Sequence, residues 1–204
     1  MGCDIHLYTE AKDTKNGKKV WRNTDDWRLN PYYEKGNTDG ETEYNLKSIY
    51  HDRDYELFTV LAGVRQYNDK NVPISKPKGL PRDASKVVKE SSADYGADGH
   101  SHSFLTYAEI EDYANDVGSV VYSGLITPEA AKKLEKDGEL PQEWCQGSTD
   151  KTLVWAEWKA PFASLQKLLK KMEERMRDEL WIFNDNPIET EKKNDFRIVF
   201  WFDN

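Results

Sequence analysis

Three of the four histidines in this chain fall in two short polar stretches, His6 in "MGCDIH" at the start and His100 and His102 in "DGHSHS" at 98–103. Imidazole is the commonest protein ligand for transition metals and changes charge near neutral pH, so the grouping offers metal ligation or acid–base work. On a strand, residues two apart face the same way, so Asp4 and His6 project together while Cys3 faces the other side. An H-x-H pair turns two rings toward one ion when further ligands approach from elsewhere. His6, His100 and His102, with Asp4 as ligand or orienting carboxylate, make a set suited to Zn²⁺, Mn²⁺ or Fe²⁺ that retains an open position for water. Asp98 is expected behind it as a supporting carboxylate.

Such a site predicts a metal-assisted hydrolase in which bound water is the nucleophile, Asp4 its orienting or general-base group, and His6, His100 and His102 its metal ligands. Arg53, Arg65 and Arg82 are the expected binders of a phosphorylated or nucleotide-like substrate, through paired guanidinium hydrogen bonds. Neither a paired H-x-T signature nor an H-D doublet with a downstream Asp set is present. A second reading needs no chemistry: the pocket holds a nucleotide signal as a sponge, or the chain antagonises a host defence protein. Aromatics then supply stacking surfaces, with Trp21, Trp27, Tyr32 and Tyr33 in a loop-rich stretch as candidates. Plainer roles stand beside these. "GHSHS" serves as a loop whose side chains cap the next helix, an arginine near Asp and Glu is usually an ion pair, and Trp21 reads as packing.

The elements that must position these residues are legible from periodicity. "CDIHLYTEA" at 3–11 alternates as a half-buried strand, Asn16-Gly17 marks a hairpin turn, and 20–24 is the returning strand. A loop rich in Asn, Gly, Asp and Tyr is expected to about residue 50, as an excursion over a site or a flap. "RDYELFTVLAGVR" at 53–65 has helical spacing, a proline-rich loop follows, and a short helix is expected at 84–93 before a "DGHSHS" loop. Thr106 and Glu109 form a capping-box pattern for a helix to about Asn115. Downstream come a strand in "SVVYSGL", a helix from Thr127 to Gly138, a strand in "KTLVWAEWK", and a long helix from Pro161 to about Leu180. The ending "DFRIVFWFD" is too apolar for an exposed tail and is expected as a central strand. The pattern predicts a single α+β domain over 1–204, with a mixed or antiparallel sheet that holds both terminal strands.

The totals restrict partners. A formal net charge of -8 disfavours generic DNA binding and anionic membranes. No apolar run is long enough to span a bilayer, and the start reads as a strand instead of a basic-plus-hydrophobic signal, so a cytosolic setting is expected. Gly2 invites N-myristoylation, but His6 stands where that pattern wants Ser or Thr. Cys3 and Cys145 are far apart, with no C-x-x-C pair, which argues against a disulfide framework or a zinc finger. Although charged residues make up 32%, seven Trp, eleven Tyr and seven Phe supply enough apolar area for a core.

"MGCDIH", "RDYELFTVLAGVR", "PISKPKGLP" at 73–81, "DGHSHSFLT" at 98–106 and "FRIVFWFDN" at the end together resemble a widespread family of bacteriophage and prophage proteins. The similarity spans nearly the whole chain, and the joint occurrence of "GCDIH" and "GHSHS" is its most specific part. That family carries no assigned activity. What the resemblance implies is a shared pocket containing Asp4, His6, Arg53, Arg65, His100 and His102, and the cytosol of a bacterial host as the setting.

Overall fold

The computed structural model describes residues 2–36, 42–67, 69–183 and 186–204. Along the chain run β1 (Asp4–Lys15), β2 (Lys18–Asn23), β3 (Asp26–Leu29), β4 (Tyr44–Lys47), α1 (Tyr55–Ala62), α2 (Lys86–Tyr95) and β5 (His100–Thr106). They are followed by α3 (Tyr107–Asp116), β6 (Ser119–Ile126), α4 (Pro128–Asp137), β7 (Val154–Pro161), α5 (Ala163–Glu179), α6 (Thr190–Asn194) and β8 (Phe196–Asp203). The architecture is α+β. The main sheet has the order β2-β1-β8-β5, and its neighbours are antiparallel.

Both terminal strands sit at the centre of that sheet, as their apolar content requires. β8 is buried from Phe196 to Phe202, so both its faces must be covered. One face carries Ile5, Leu7, Ile198, Phe200 and Phe202 into the large core, beneath α1 and α5. The α5 stripe expected from spacing supplies Leu165, Leu168, Leu169, Met172 and Met176, all buried. The other face carries Tyr8, Val199 and Trp201 into a smaller cluster closed by Ala84 and Val88. Asp54 caps α1 and Gly63 ends it at φ 69°, while the Thr106–Glu109 capping box opens α3 as its spacing predicts.

A buried ion pair crosses the two central strands. Glu10 lies opposite Arg197 in the β1–β8 register, and Arg197 Nε donates to Glu10 Oε2 at 2.8 Å. The two residues are 0% and 3% exposed. Arg197 also reaches Asp83 at 3.1 Å and lies 3.9 Å beneath the Trp21 ring, so Trp21 packs over a cation and is not free to stack on a ligand. The other oxygen of Glu10 accepts the Ser85 N–H at 2.6 Å, which ties the start of α2 to the same point.

Three expectations change, and one element is new. "DGHSHS" is not a loop throughout, because from His100 it is β5, paired with β8 through a register shift between His100 and Ser103. The expected loop over 24–50 contains the β3–β4 ribbon, and its residues 37–41 lie outside the described set. Pro161 ends β7 instead of opening α5, consistent with its inability to donate within a ladder. The short helix α6 at 190–194 has no counterpart in the sequence pattern. Among the described residues no helix is long and apolar enough to cross a membrane.

Leu168→Asp should destabilise the protein by several kcal/mol, since it puts a charge in the core, whereas Lys167→Ala should cost less than about 0.5 kcal/mol. Equal shifts in thermal unfolding would contradict the assigned face. Arg197→Met, which strands the Glu10 carboxylate, should cost about 3–5 kcal/mol in urea unfolding. The double variant Glu10→Leu/Arg197→Met should recover much of that loss, and additive losses would speak against a coupled pair.

Candidate functional site

Trp201 organises the smaller face of the sheet. Its indole is fully buried, and three side chains stack on it: Tyr8 at 5.0 Å, His102 at 5.4 Å and His6 at 6.0 Å between ring centres. His6 lies directly opposite Trp201 in the β1–β8 register, and His102 reaches it from β5 on the far side. Tyr95, the last residue of α2, closes over this group with its ring 4.1 Å from that of His6. Gly99 fits beneath, where an added Cβ would come within 3.1 Å of Tyr95 and 3.3 Å of His102. The indole Nε1 is buried and has no hydrogen-bond partner among the described residues.

A β-bulge divides the histidine pair. Ser101 takes the left-handed conformation at φ 52°, and the β5 register slips by one residue around it. His102 therefore faces Trp201, while His100 stacks on Phe202, a residue of the large core on the opposite face, at 6.1 Å. His100 Nδ1 is 3.0 Å from Ser101 Oγ, and its Nε2 is buried with no partner among the described residues.

Each ring nitrogen of His6 faces a polar group, one of them through a hydrogen bond. Its Nε2 lies 3.2 Å from Asp203 Oδ2, and its Nδ1 is 2.8 Å from the Tyr95 hydroxyl. The Nε2 contact is an electrostatic approach without hydrogen-bond alignment, whereas Nδ1 and the Tyr95 hydroxyl form a hydrogen bond whose direction follows the ring's tautomer. Burial raises the Tyr95 phenol above its ordinary value, which keeps it protonated. A second hydroxyl–imidazole pair stands beside it, Ser92 Oγ to His102 Nε2 at 2.9 Å. Burial, and then the nearby His100, lower the His102 value below 6.5, so its ring is neutral at pH 7.

The remaining expected residues are placed apart. Asp4 shares the strand face with His6, but both its oxygens are taken by Arg53, at 2.6 and 2.8 Å. That guanidinium holds the Asp4 carboxyl below its usual range. Arg65 bonds the Gly2 carbonyl and the Asn204 side chain, and Arg82 and Asp98 are exposed. Among the described residues, no three His, Cys, Asp or Glu side chains gather as a metal ion would require. The set of Asp4, His6, His100 and His102 is therefore not presented as four ligands for Zn²⁺, Mn²⁺ or Fe²⁺: the bulge turns away His100, and Arg53 occupies Asp4.

A cleft of about 960 Å³ opens beside the Trp201 group, between the β3–β4 ribbon and α2. Tyr8 and Tyr95 line both the group and the cleft, and Trp27 and Tyr44 form its ribbon wall, 42% and 49% exposed. Glu43 and Asp94 supply carboxylates, and the lining among the described residues contains no Lys or Arg. Of the aromatics expected to stack, Trp27 is here, while Tyr32, 81% exposed, and Tyr33 lie outside this lining. Tyr8 was accessible to sequence reasoning, since it shares parity with Asp4 and His6. Trp201 follows from alternation along the last strand, and Ser91, Ser92 and Tyr95 from helical spacing with buried Val88.

No protein-family model, curated protein or solved structure matches this chain.

A histidine kept neutral by burial withholds its stabilising contribution once it must be protonated. That contribution is present above the unfolded value of about 6.5 and is lost as pH falls through the lower folded value. Imidazole NMR should place the His102 midpoint below 6.5, and His102→Gln should weaken the loss of stability on acidification. A His102 midpoint at or above 6.5 would contradict the burial argument.

Proposed function

We propose that this chain is a small-ligand-binding protein that takes a flat, nitrogen-bearing ring of the nucleobase type into the cleft between the β3–β4 ribbon and α2. One observation carries the reading: a cleft of about 960 Å³ with Tyr8, Trp27, Tyr44 and Tyr95 on its walls and two carboxylates, Glu43 and Asp94, among them. Aromatic walls stack on a base, and carboxylates accept the N–H groups at its edge. The lack of Lys and Arg in the lining makes this the place for the base or nucleoside end of a nucleotide-like ligand, with any phosphate directed outward. In the setting implied by the resemblance to phage and prophage proteins, such a chain would withdraw a nucleotide signal from the host. Antagonism of a host defence protein would be the consequence of that sequestration, without a protein partner.

A catalytic reading draws on a different observation, the two hydroxyl groups held by imidazoles. In the chain Tyr95–His6–Asp203, a hydroxyl meets a ring whose other nitrogen faces a carboxylate, the arrangement in which a base activates a nucleophile. Under this reading the protein is a hydrolase of a phosphorylated or nucleotide-like substrate, with His6 and His102 as proton-handling groups. It is the weaker of the two because the raised Tyr95 phenol resists deprotonation and phosphate-binding cations are not part of the cleft lining.

The two readings separate in one preparation. Protein purified from cells and denatured should release an ultraviolet-absorbing small molecule identifiable by mass spectrometry, and equilibrium dialysis should show saturable nucleoside binding without turnover. Trp27→Ala should weaken that binding at least about fivefold, given about 1–3 kcal/mol per stacked base. Hydrolysis of nucleoside phosphates, tested with and without Zn²⁺ or Mn²⁺ and abolished by His6→Gln, would favour the enzyme. Nucleoside binding that is insensitive to Trp27→Ala would remove the cleft from the account.

A further inference from the structure

A second cleft, of about 620 Å³, lies where the N-terminal ends of α1 and α5 meet. It is lined by the stretch from Asp52 to Glu56, by Tyr50, by Trp144 and Gln146, and by the first turn of α5. None of these residues belongs to the Trp201 group or to the aromatic cleft beside it.

The charges in this cleft are assigned one by one to partners, with one exception. Arg53 is engaged by Asp4, and Lys167 by Asp52 at 2.6 Å. Asp54 caps α1 through the Leu57 N–H and accepts the Ser164 hydroxyl, so the ends of two helices offset its charge. Glu56 is different. It is 3% exposed, no ion pair is formed by it among the described residues, and its Oε2 has no hydrogen-bond partner there. Gln146 lines the same cleft, and its Oε1 is likewise buried without a partner. Burial, and then the neighbouring Asp54, push Glu56 up to about 7. Buried polar groups are nearly always satisfied, so two unpaired oxygens in one cleft call for an explanation. Both are acceptors once Glu56 is ionised, so what they lack is a donor.

We propose that this cleft is a binding site for a small organic cation with N–H donors, a primary ammonium or a guanidinium, which pairs with ionised Glu56 and donates to Gln146. The walls suit such a ligand: Tyr50, Tyr55 and Trp144 offer aromatic surface to its alkyl part and to its charge. Trp144 is held in place by edge contacts with Tyr122 and Trp158. The site is coupled to protons. The ionisable groups that line the cleft with Glu56 are Tyr50, Asp52, Arg53, Asp54, Tyr55 and Lys167, and Tyr122 of β6 and Tyr67 also feel its charge. A cation that requires the carboxylate must displace a proton where Glu56 is protonated.

The test is calorimetric titration of the full chain with n-butylammonium and with guanidinium, at pH 6 and pH 8, in buffers of different ionisation enthalpy. Saturable binding should be about tenfold tighter at pH 8, with close to one proton released at pH 6, as linkage to a group titrating near 7 requires. Glu56→Gln should abolish the pH dependence and weaken binding at pH 8 about tenfold or more. Gln146→Leu, at a half-buried position, should weaken it several-fold, and this arm stands if Glu56→Gln does not fold. Absence of saturable binding at pH 8, affinity unchanged in either variant, or equal affinity for tetramethylammonium, which has no N–H, would overturn the proposal.

Discussion

A buried carboxylate and a buried guanidinium hold the two central strands in one register. Glu10 and Arg197 face each other across β1 and β8, and neither has access to enough water to be stable without the other. Side chains on a strand alternate, so a slip of one residue in that pairing would send Trp201 into the large core and Phe200 or Phe202 to the smaller face. With the register fixed, His6 falls opposite Trp201 and its ring reaches Asp203, on the neighbouring strand. The Glu10 carboxylate also accepts the Ser85 N–H, so α2 begins at a defined point, and its Ser92 and Tyr95 arrive over His102 and His6.

The bulge at Ser101 is the second constraint, and it changes the chemistry that the sequence suggests. In a regular strand His100 and His102 would share a face and offer two rings to one ion. One left-handed residue separates them, so that one is stacked on Phe202 and the other on Trp201. What is gathered instead is an aromatic platform with two imidazoles, each bound to a hydroxyl. Such groups position and hydrogen-bond a ligand, or move protons.

Much of this was legible in the sequence where periodicity was long and uninterrupted. The strand parity of Asp4, His6 and Tyr8, the apolar stripe of α5 and the central placement of the last strand all follow from alternation or helical spacing. β5 was not legible, because Gly99, Ser101 and Ser103 have low strand propensity and the bulge removes the alternation that would have marked it. The β3–β4 ribbon was hidden for a related reason: Asp26 to Leu29 is exposed throughout, so it carries no buried face to read. The partners of the arginines were not legible either. Arg53 is engaged by Asp4, and Arg65 by Gly2 and Asn204, which spacing along the sequence does not reveal. Glu56 carried no signal, since a glutamate in the first turn of a helix is ordinary until its burial is known.

The central claim is that the cleft walled by Trp27, Tyr44 and Tyr95 receives a flat ring, which lies against Tyr95 and so against the His6 ring that Tyr95 covers. Side-chain NMR of protein labelled in its aromatic and histidine rings, titrated with a nucleoside, tests this most directly. The account predicts that the Trp27 indole, the Tyr95 ring and the His6 ring shift together along one saturable curve, while Trp144 in the second cleft stays still. Unmoved Trp27, Tyr95 and His6 at high nucleoside concentration, or shifts centred on Trp144 instead, would contradict it.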